Sequence, residues 1–302
     1  FLLDDMSLKY DQHEFASEDV KRAINQGNKI YAEFEVNELN EAEMNDIIEY
    51  AKGKNIQIIP LVNTPGHMDS ILYACTALNN EDCSYDGSVR TISVVNKVAT
   101  DFTKALVKKY VDYFASKGCT IFNLGGDEYA NDIYRTGSMG FGHLMKEGKY
   151  GDFINYMNSL AQMVKDAKMK PMAFNDGFYF RGNTSAGELD KDILVSYWSP
   201  GWDEYILFPA ANLSAMGYKI LNTNQHWYYV LGRGYFRFLQ TLDGIESYPY
   251  KYVIGTGDME VEGCMICFWC DDPLYPYDKT EQDYLEQMIS YMAEMNPSIF
   301  NP

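Results

Sequence analysis

The sequence predicts an α/β fold of the TIM-type (β/α)8 barrel class, and two observations support that prediction. Predicted strands and amphipathic helices alternate along the chain, a pattern typical of parallel strands joined by helical crossovers. The predicted strands also end, on their C-terminal side, in acids, amides, His or Trp. A β/α barrel builds its site from those strand ends, whereas an open doubly wound sheet concentrates its chemistry at a switch point. Six polar strand ends therefore favour the barrel.

The predicted elements follow one another without interruption. An amphipathic pattern predicts a first helix over 41–54, with Met44, Ile47, Ile48 and Ala51 on its apolar stripe, and a strand over 56–62 comes next. The alternation continues with helix 98–117, strand 119–124, helix 153–168, strand 171–176, strand 193–198, helix 209–216, strand 219–223 and strand 263–269. Because no Ser/Gly linker, repeat or low-complexity tract breaks the pattern, we predict one domain over 1–302.

Composition and charge exclude several classes of partner. The 302 residues are 46% hydrophobic, which is ample for a large core. The net charge is −18 and the 25 basic residues are scattered, so nucleic acid and anionic membrane surfaces are not expected as partners. No apolar run approaches the roughly 20 residues of a membrane span. Aromatic residues reach 15%, and Tyr and Trp suit sugars because they offer a flat apolar face and a polar group.

The three cysteines near the C-terminal end of the chain predict buried free thiols and no metal site. Cys264, Cys267 and Cys270 have a spacing that resembles a metal or redox motif. The stretch is, however, predicted as a buried strand in which Cys264 and Cys267 face opposite sides, and a structural zinc needs a second ligand pair. Cys75 and Cys83 fall in a predicted loop region and are able to pair if the protein is extracellular.

The segment Asn123-Leu124-Gly125-Gly126-Asp127-Glu128 carries the strongest local signal for a site. In a regular strand the two acids point to opposite faces. The two glycines allow the backbone to leave extended geometry and turn both acids toward one ligand. Adjacent carboxyl groups disfavour joint ionisation, and a carboxyl kept protonated near neutral pH is what a general acid needs. The alternative is a strand end that runs into an acidic, solvated turn.

These motifs resemble glycoside hydrolase family 20, the β-N-acetylhexosaminidases. The acidic motif follows Pro65-Gly66-His67 by one strand and precedes strand ends that contain Trp. The longer stretches that carry the resemblance are Asp127-Glu128-Tyr129-Ala130-Asn131-Asp132, Met172-Ala173-Phe174-Asn175-Asp176-Gly177-Phe178-Tyr179, Tyr197-Trp198-Ser199, and Asn222-Thr223-Asn224 through Trp227-Tyr228-Tyr229. They look like the catalytic domains of Gram-positive surface exo-β-N-acetylglucosaminidases that trim host glycans.

The resemblance implies a reaction in which the substrate supplies its own nucleophile. The 2-acetamido oxygen attacks the anomeric carbon and forms a bicyclic oxazolinium. By motif, Glu128 is the general acid that protonates the leaving oxygen and later activates water. Asp127 accepts a hydrogen bond from the acetamido N–H and stabilises its developing charge. Tyr228 donates its hydroxyl to the acetamido oxygen and holds it in line for attack.

The resemblance also implies a set of substrate-binding residues and a partner. Trp198, Trp227 and Trp269 are expected to wall the pocket, Asp271 to bind sugar hydroxyls, and His67 to lie behind the catalytic Glu. The full substrate-binding set is His67, Asn175, Asp176, Trp198, Trp227, Trp269 and Asp271. No metal or cofactor is implied. The expected partners are β-linked N-acetylhexosamine glycans, and the expected location is outside a bacterial cell or on its surface, although no signal peptide is visible in this sequence.

Two departures from the family pattern bear on these expectations. Only six barrel strands are found here, so the first strand, its helix and most of the second strand are expected upstream of Phe1. They normally supply an Arg that grips sugar hydroxyls and an Asp that contacts the catalytic His, and neither has a match in this sequence. Val230 stands where relatives usually have Asp or Asn, which leaves a preference for GlcNAc, GalNAc or a disaccharide unit open.

Two functions of other classes compete with hydrolysis by this mechanism. A non-catalytic glycan-binding module is one, and the joint retention of Glu128, Asp127 and Tyr228 argues against it because binding alone needs no acid. A metal-dependent hydrolase that uses His67, Asp127, Glu128 and Asp176 is the other. The chain has only four His and no His-x-His or His-Glu-x-x-His spacing, which disfavours the metal hydrolase.

Overall fold

The computed structural model describes residues 1–32, 38–135, 138–270 and 277–296. The chain divides into two compact units, Phe1–Ile193 and Leu194–Pro302. Each unit contains parallel strands joined through helices, as the sequence predicts, together with short antiparallel strand pairs. The assignment of 1–302 to one domain stays a prediction. Within the described residues, every helix is too short or too polar to cross a bilayer.

The first unit contains most of the helices. They are α1 Ser17–Ala32, α2 Glu41–Gly53, α3 Asp69–Asn79, α4 Lys97–Ser116, α5 Gly140–Lys146 and α6 Tyr150–Asp166. Its strands are β1 Leu8–Tyr10, β2 His13–Phe15, β3 Leu61–Thr64, β4 Ile121–Gly125, β5 Tyr134–Arg135, β6 Ser138–Met139 and β7 Lys170–Phe174. Strands β3, β4 and β7 are parallel neighbours in that order, so their C-terminal ends lie along one edge.

Local sequence explains where the helices of the first unit begin and how they pack. Asn40 and Glu43 form a capping box at the start of α2, and Asn96 accepts the Ala99 N–H at the start of α4. Helix α6 packs against β4 and β7 and buries Phe153 along its apolar stripe. The buried stripe anchors the helix, because packing contributes more to helix stability than propensity does.

The second unit repeats the pattern with shorter elements. Its strands are β8 Leu194–Tyr197, β9 Gly201–Trp202, β10 Tyr205–Ile206, β11 Lys219–Asn222, β12 Tyr228–Val230, β13 Tyr252–Val253, β14 Gly257–Asp258, β15 Gly263–Cys264 and β16 Cys267–Trp269. Its helices are α7 Ala210–Ala215, α8 Gly234–Ser247 and α9 Lys279–Met295. Strand β11 pairs in parallel with β8 and β15, and β12 pairs in parallel with β16. A core cluster joins α8 and α9 to these strands through Trp227, Tyr229, Phe238, Ile245, Met288 and Met292.

Two predicted strands differ from the structure by more than their end residues. The strand predicted over 56–62 begins only at Leu61, after Pro60, which has no N–H to donate to a ladder, and Ile56 and Ile59 are exposed. The strand predicted over 263–269 is two short strands, because the chain leaves β11 after Cys264 and pairs with β12 from Cys267. Cys270 is exposed, so the expectation of a buried thiol is wrong at that position.

Candidate functional site

The acidic segment leaves the strand as the two glycines predict. Gly125 and Gly126, at the end of β4, have φ values of +72° and +87°, which residues with a side chain rarely adopt. Glu128 has a φ of +45°, a left-handed value that costs a residue with a side chain on the order of 1–3 kcal/mol. Strain of this kind persists where the surrounding structure imposes it, and such residues cluster at functional sites.

His67 contacts both acids. Its Nε2 lies 3.3 Å from Asp127 Oδ2 and 3.2 Å from Glu128 Oε2, so the two carboxylates face one imidazole. Hydrogen bonds to Asp127 and to Glu128 raise the pKa of His67 from 6.5 to about 10, against the opposing effect of burial. At neutral pH the site therefore holds an imidazolium between two acids.

Gly66 allows the loop that carries His67 to lie against the acidic segment. A Cβ at this position would be 2.9 Å from the backbone oxygen of Asp127, a distance that real Cβ atoms do not show. A side chain here would separate the imidazole from both acids. The Pro-Gly-His motif is thereby explained by close backbone approach.

Asp127 presents one carboxylate oxygen to a donor that the described residues do not supply. Oδ2 faces His67, whereas Oδ1 is buried and has no hydrogen-bond partner within the described part of the chain. A buried acceptor without a donor costs about 1–3 kcal/mol. Native structures keep few such atoms, and an ordered water or a ligand that brings a donor satisfies them. Asp127 Oδ1 is therefore placed to accept a hydrogen bond from a bound molecule.

Asp176 supports the acidic segment from the neighbouring strand end. Asn175 and Asp176 lie in the short 3-10 helix Asn175–Gly177 after β7, and both are fully buried. Asp176 Oδ1 accepts a hydrogen bond of 3.0 Å from the backbone N–H of Glu128. Asp176 thus contacts the strained backbone of Glu128 directly, and this contact is able to position Glu128. A direct contact of Asn175 or Asp176 with a sugar stays a prediction.

In the second unit, three of the predicted aromatic residues lie together. The rings of Trp198 and Tyr228 are nearly parallel with centroids 6.2 Å apart, and Trp269 meets Tyr228 edge-on at 6.1 Å. Trp198 and Tyr228 are half-buried, and Trp269 is 42% exposed. Partly exposed aromatic faces of this kind are suited to stack on sugars.

The other two predictions in this unit have different outcomes. Trp227 is fully buried in the core cluster, and its indole Nε1 donates to the backbone oxygen of Tyr248 at 3.1 Å. The expectation that Trp227 walls a pocket is corrected, because α8 and α9 enclose its ring. Asp271 lies outside the described residues.

Sequence reasoning missed two neighbours of this aromatic group. Trp202 lies beside Trp198 with ring centroids 5.8 Å apart, on a hairpin whose two-residue strands give no periodic signal. Cys267 is the second: burial raises the pKa of its thiol to about 12, against a hydrogen bond to the side chain of Tyr228. The parallel pairing of Tyr228 with Cys267 produces that contact.

A metal site is not formed by the predicted ligands. The described residues contain no group of three or more His, Cys, Asp or Glu side chains arranged to hold a metal ion. The Nε2 of His67 faces the two carboxylates, which compete for it as hydrogen-bond acceptors.

Comparison with known proteins places this geometry in context. The model of glycosyl hydrolase family 20, catalytic domain, matches residues 13–242. Among solved structures, the pneumococcal virulence factor StrH is 38% identical with a TM-score of 0.90, over 98% of this chain and 72% of that chain. A structure from the tandem family 20 catalytic modules of the same pneumococcal exo-β-D-N-acetylglucosaminidase gives the same identity and TM-score, over 97% and 72%.

Curated relatives are more distant and much longer. A lacto-N-biosidase of Bifidobacterium bifidum is 22% identical over 278 residues, which is 86% of this chain and 23% of the relative. Beta-hexosaminidase 1 of Coccidioides posadasii is 23% identical over 203 residues, 63% of this chain and 33% of the relative. The chain thus spans about a quarter to a third of the curated relatives that it matches.

Proposed function

Because the chain belongs to glycoside hydrolase family 20, we propose that it is a retaining exo-β-N-acetylhexosaminidase that releases terminal β-linked GlcNAc from glycans. Membership makes it a glycoside hydrolase whose catalytic domain is a TIM-type barrel, the fold class that the sequence predicts. The family acts on β-linked N-acetylhexosamine glycans. The sugar preference, the mechanism and an extracellular location belong to the proposal.

The observation that carries the proposed mechanism is Asp127 Oδ1, which is buried and has no hydrogen-bond partner among the described residues. A 2-acetamido group offers an N–H donor at the position where ordinary glycosides carry a hydroxyl. When Asp127 accepts that N–H, the acetamido oxygen is oriented toward the anomeric carbon, and the carboxylate offsets the positive charge of the oxazolinium. An enzyme carboxylate that attacks the sugar does not need this arrangement.

Glu128 and Tyr228 complete the proposed chemistry. Glu128, whose side chain is 29% exposed, gives its proton to the leaving oxygen and later takes one from water. Tyr228 donates its hydroxyl to the acetamido oxygen, and the partly exposed rings of Trp198 and Trp269 contact the sugar. A glycan-binding module does not require a strained acid held beside an imidazolium, which supports catalysis over binding alone.

The relatives favour GlcNAc and leave one alternative specificity. The pneumococcal relative is an exo-β-D-N-acetylglucosaminidase, which supports release of a single terminal GlcNAc. The similarity to a lacto-N-biosidase supports the alternative, release of a disaccharide unit. Val230, where relatives usually have Asp or Asn, affects hydroxyl recognition in either case.

Paired aryl glycosides test the proposal directly. We expect turnover of aryl β-GlcNAc, lower kcat/KM for aryl β-GalNAc, and β-configured GlcNAc as the first product seen by NMR. Faster release of an aryl lacto-N-bioside would favour the alternative specificity. Glu128→Gln is the matched control, because it preserves shape and removes the acid. Equal turnover by this variant on substrates that need protonation would contradict the assignment.

A further inference from the structure

Two buried cysteines face each other in the first unit. Cys75 lies on α3 and Cys83 lies in the loop that follows, and neither is reached by solvent. Their Sγ atoms are 2.8 Å apart, inside the roughly 3.5–4.0 Å at which non-bonded heavy atoms contact best. Two thiols at this separation are crowded. A covalent bond between them requires an approach of under about 1 Å, since bonded sulfurs lie about 2.05 Å apart.

The backbone around Cys83 is already fixed against α3. The Cys83 N–H donates to Thr76 Oγ1 on α3 at 3.3 Å. The Cys83 oxygen accepts the Ser93 N–H at 2.9 Å. These two bonds fix the backbone of Cys83 at the position from which its side chain reaches Cys75.

The loop that contains Cys83 also holds the segment that carries His67. We call residues 83–93 the bracing loop. The Ile92 N–H donates to the oxygen of Pro65 at 3.0 Å, and the oxygen of Arg90 accepts the Met68 N–H at 2.8 Å. These two bonds lie on either side of His67 in the sequence.

The same loop holds the segment that follows the two acids. Thr91 Oγ1 accepts the Ala130 N–H at 3.1 Å, two residues beyond Glu128. Asp132 accepts hydrogen bonds from Ser88 Oγ at 2.8 Å and from the Val89 N–H at 2.9 Å. The bracing loop therefore connects the segments on which His67 and Glu128 are held together.

We propose that Cys75 and Cys83 form a disulfide bond, and that this bond fixes the bracing loop to α3. The oxidant is a second disulfide, on a small molecule or a protein. One cysteine thiolate attacks it and releases a thiol, and the other cysteine then attacks the mixed disulfide and releases the second thiol. The cysteines lose two protons and two electrons in total, and the oxidant is reduced to two thiols.

Burial decides when this exchange takes place. Both thiols are fully buried, so an external disulfide does not reach either of them in the folded, reduced protein. Oxidation accordingly occurs before the bracing loop closes or while it is open. An extracellular enzyme, as in the proposed function, meets such an oxidant. The pairing itself does not depend on the substrate.

The test uses the intact chain refolded with glutathione disulfide, then denatured and labelled with a maleimide. We expect four of the six cysteines to be labelled, and all six after reduction. Cys75 and Cys83 lie on one tryptic peptide, 55–90, which should be lighter by two hydrogen atoms before reduction. Cleavage at Glu81 or Asp82 between them should leave two peptides joined. Six labelled cysteines, or a bond to another cysteine, would overturn the proposal.

Thermal unfolding tests whether the disulfide bond, once present, stabilises the bracing loop. Reductant should lower the Tm of the oxidised protein by roughly 5–10 °C. Reductant should leave the Tm of the C75A/C83A variant unchanged. The control variant C119A, which removes another buried thiol of the same unit, should lose Tm on reduction as the unmodified chain does. Hydrogen exchange of amides 90–93 should rise on reduction. No change in exchange or Tm would refute the bracing role, independently of any activity measurement.

Discussion

Replacing Asp176 with Ala tests whether this buried carboxylate positions the general acid. Its Oδ1 accepts the Glu128 N–H at 3.0 Å, behind a residue whose φ is +45°. A hydrogen bond to a charged group contributes about 1.5–3 kcal/mol. If half to all of that energy holds Glu128 in its reactive geometry, kcat should fall roughly 4- to 160-fold, since each 1.36 kcal/mol changes a rate tenfold.

The distribution of the loss between kcat and KM separates two roles for Asp176. If Asp176 positions Glu128, its removal lowers kcat, most strongly for poor leaving groups that depend on the proton of Glu128. If Asp176 binds the sugar, as the sequence predicts, its removal raises KM for all leaving groups alike. Asn40→Ala, which removes a similar side-chain acceptor of a backbone N–H at α2, should lower stability and leave kcat unchanged. An Asp176→Ala enzyme with wild-type kcat would refute the positioning role.

Three further predictions address the acids and the imidazole. Glu128→Gln should lower turnover roughly 10²–10⁴-fold, with less loss on leaving groups that need no proton, and equal loss on all of them would exclude it as the acid. Asp127→Asn should lower kcat roughly 10²–10³-fold. With the unmodified enzyme, rates on substrates whose acetamido group is progressively fluorinated should fall steeply. Rates that do not change with fluorination, or a sugar trapped on a carboxylate, would return the site to the two-carboxylate scheme. His67 has a folded pKa of about 10 against 6.5, so its stabilising contribution should be complete below pH 6.5 and be lost as pH rises toward about 10. The Tm of His67→Gln should therefore fall less over that interval than the Tm of the unmodified chain, and parallel curves would contradict the raised pKa.

Local pattern predicted the acidic half of the site well. Gly125 and Gly126 predicted that the chain leaves the strand, and both have positive φ values in the structure. Asp127 and Glu128 both contact His67, and their approach to one ligand stays a prediction. The physical reason is local, because two consecutive positive φ values lie within the segment itself. Pro60 likewise explains by local chemistry why β3 begins later than its apolar run predicts.

The failures depend on contacts between residues far apart in the sequence. Trp227 and Tyr228 are adjacent aromatic residues with the same sequence signal, yet one is enclosed by α8 and α9 and the other stays half-buried beside Trp198. Met288, about 60 residues later, lies in the same buried cluster as Trp227. The hydrogen bond from Glu128 to Asp176 is also nonlocal, so no pattern around Asn175-Asp176 distinguishes a supporting acid from a sugar ligand.

The net charge of the two acids and His67 matches the charge that the substrate develops in the proposed mechanism. In the proposed mechanism Glu128 begins protonated, so the Asp127 carboxylate and the His67 imidazolium cancel each other before reaction. Proton transfer to the leaving group makes Glu128 a carboxylate at the moment when the substrate becomes a cationic oxazolinium. The site then carries one net negative charge against one positive charge, which favours the transition state over the ground state. His67 Nε2 lies within hydrogen-bond distance of both carboxyl groups, so the imidazolium is already beside Glu128 when the negative charge develops there.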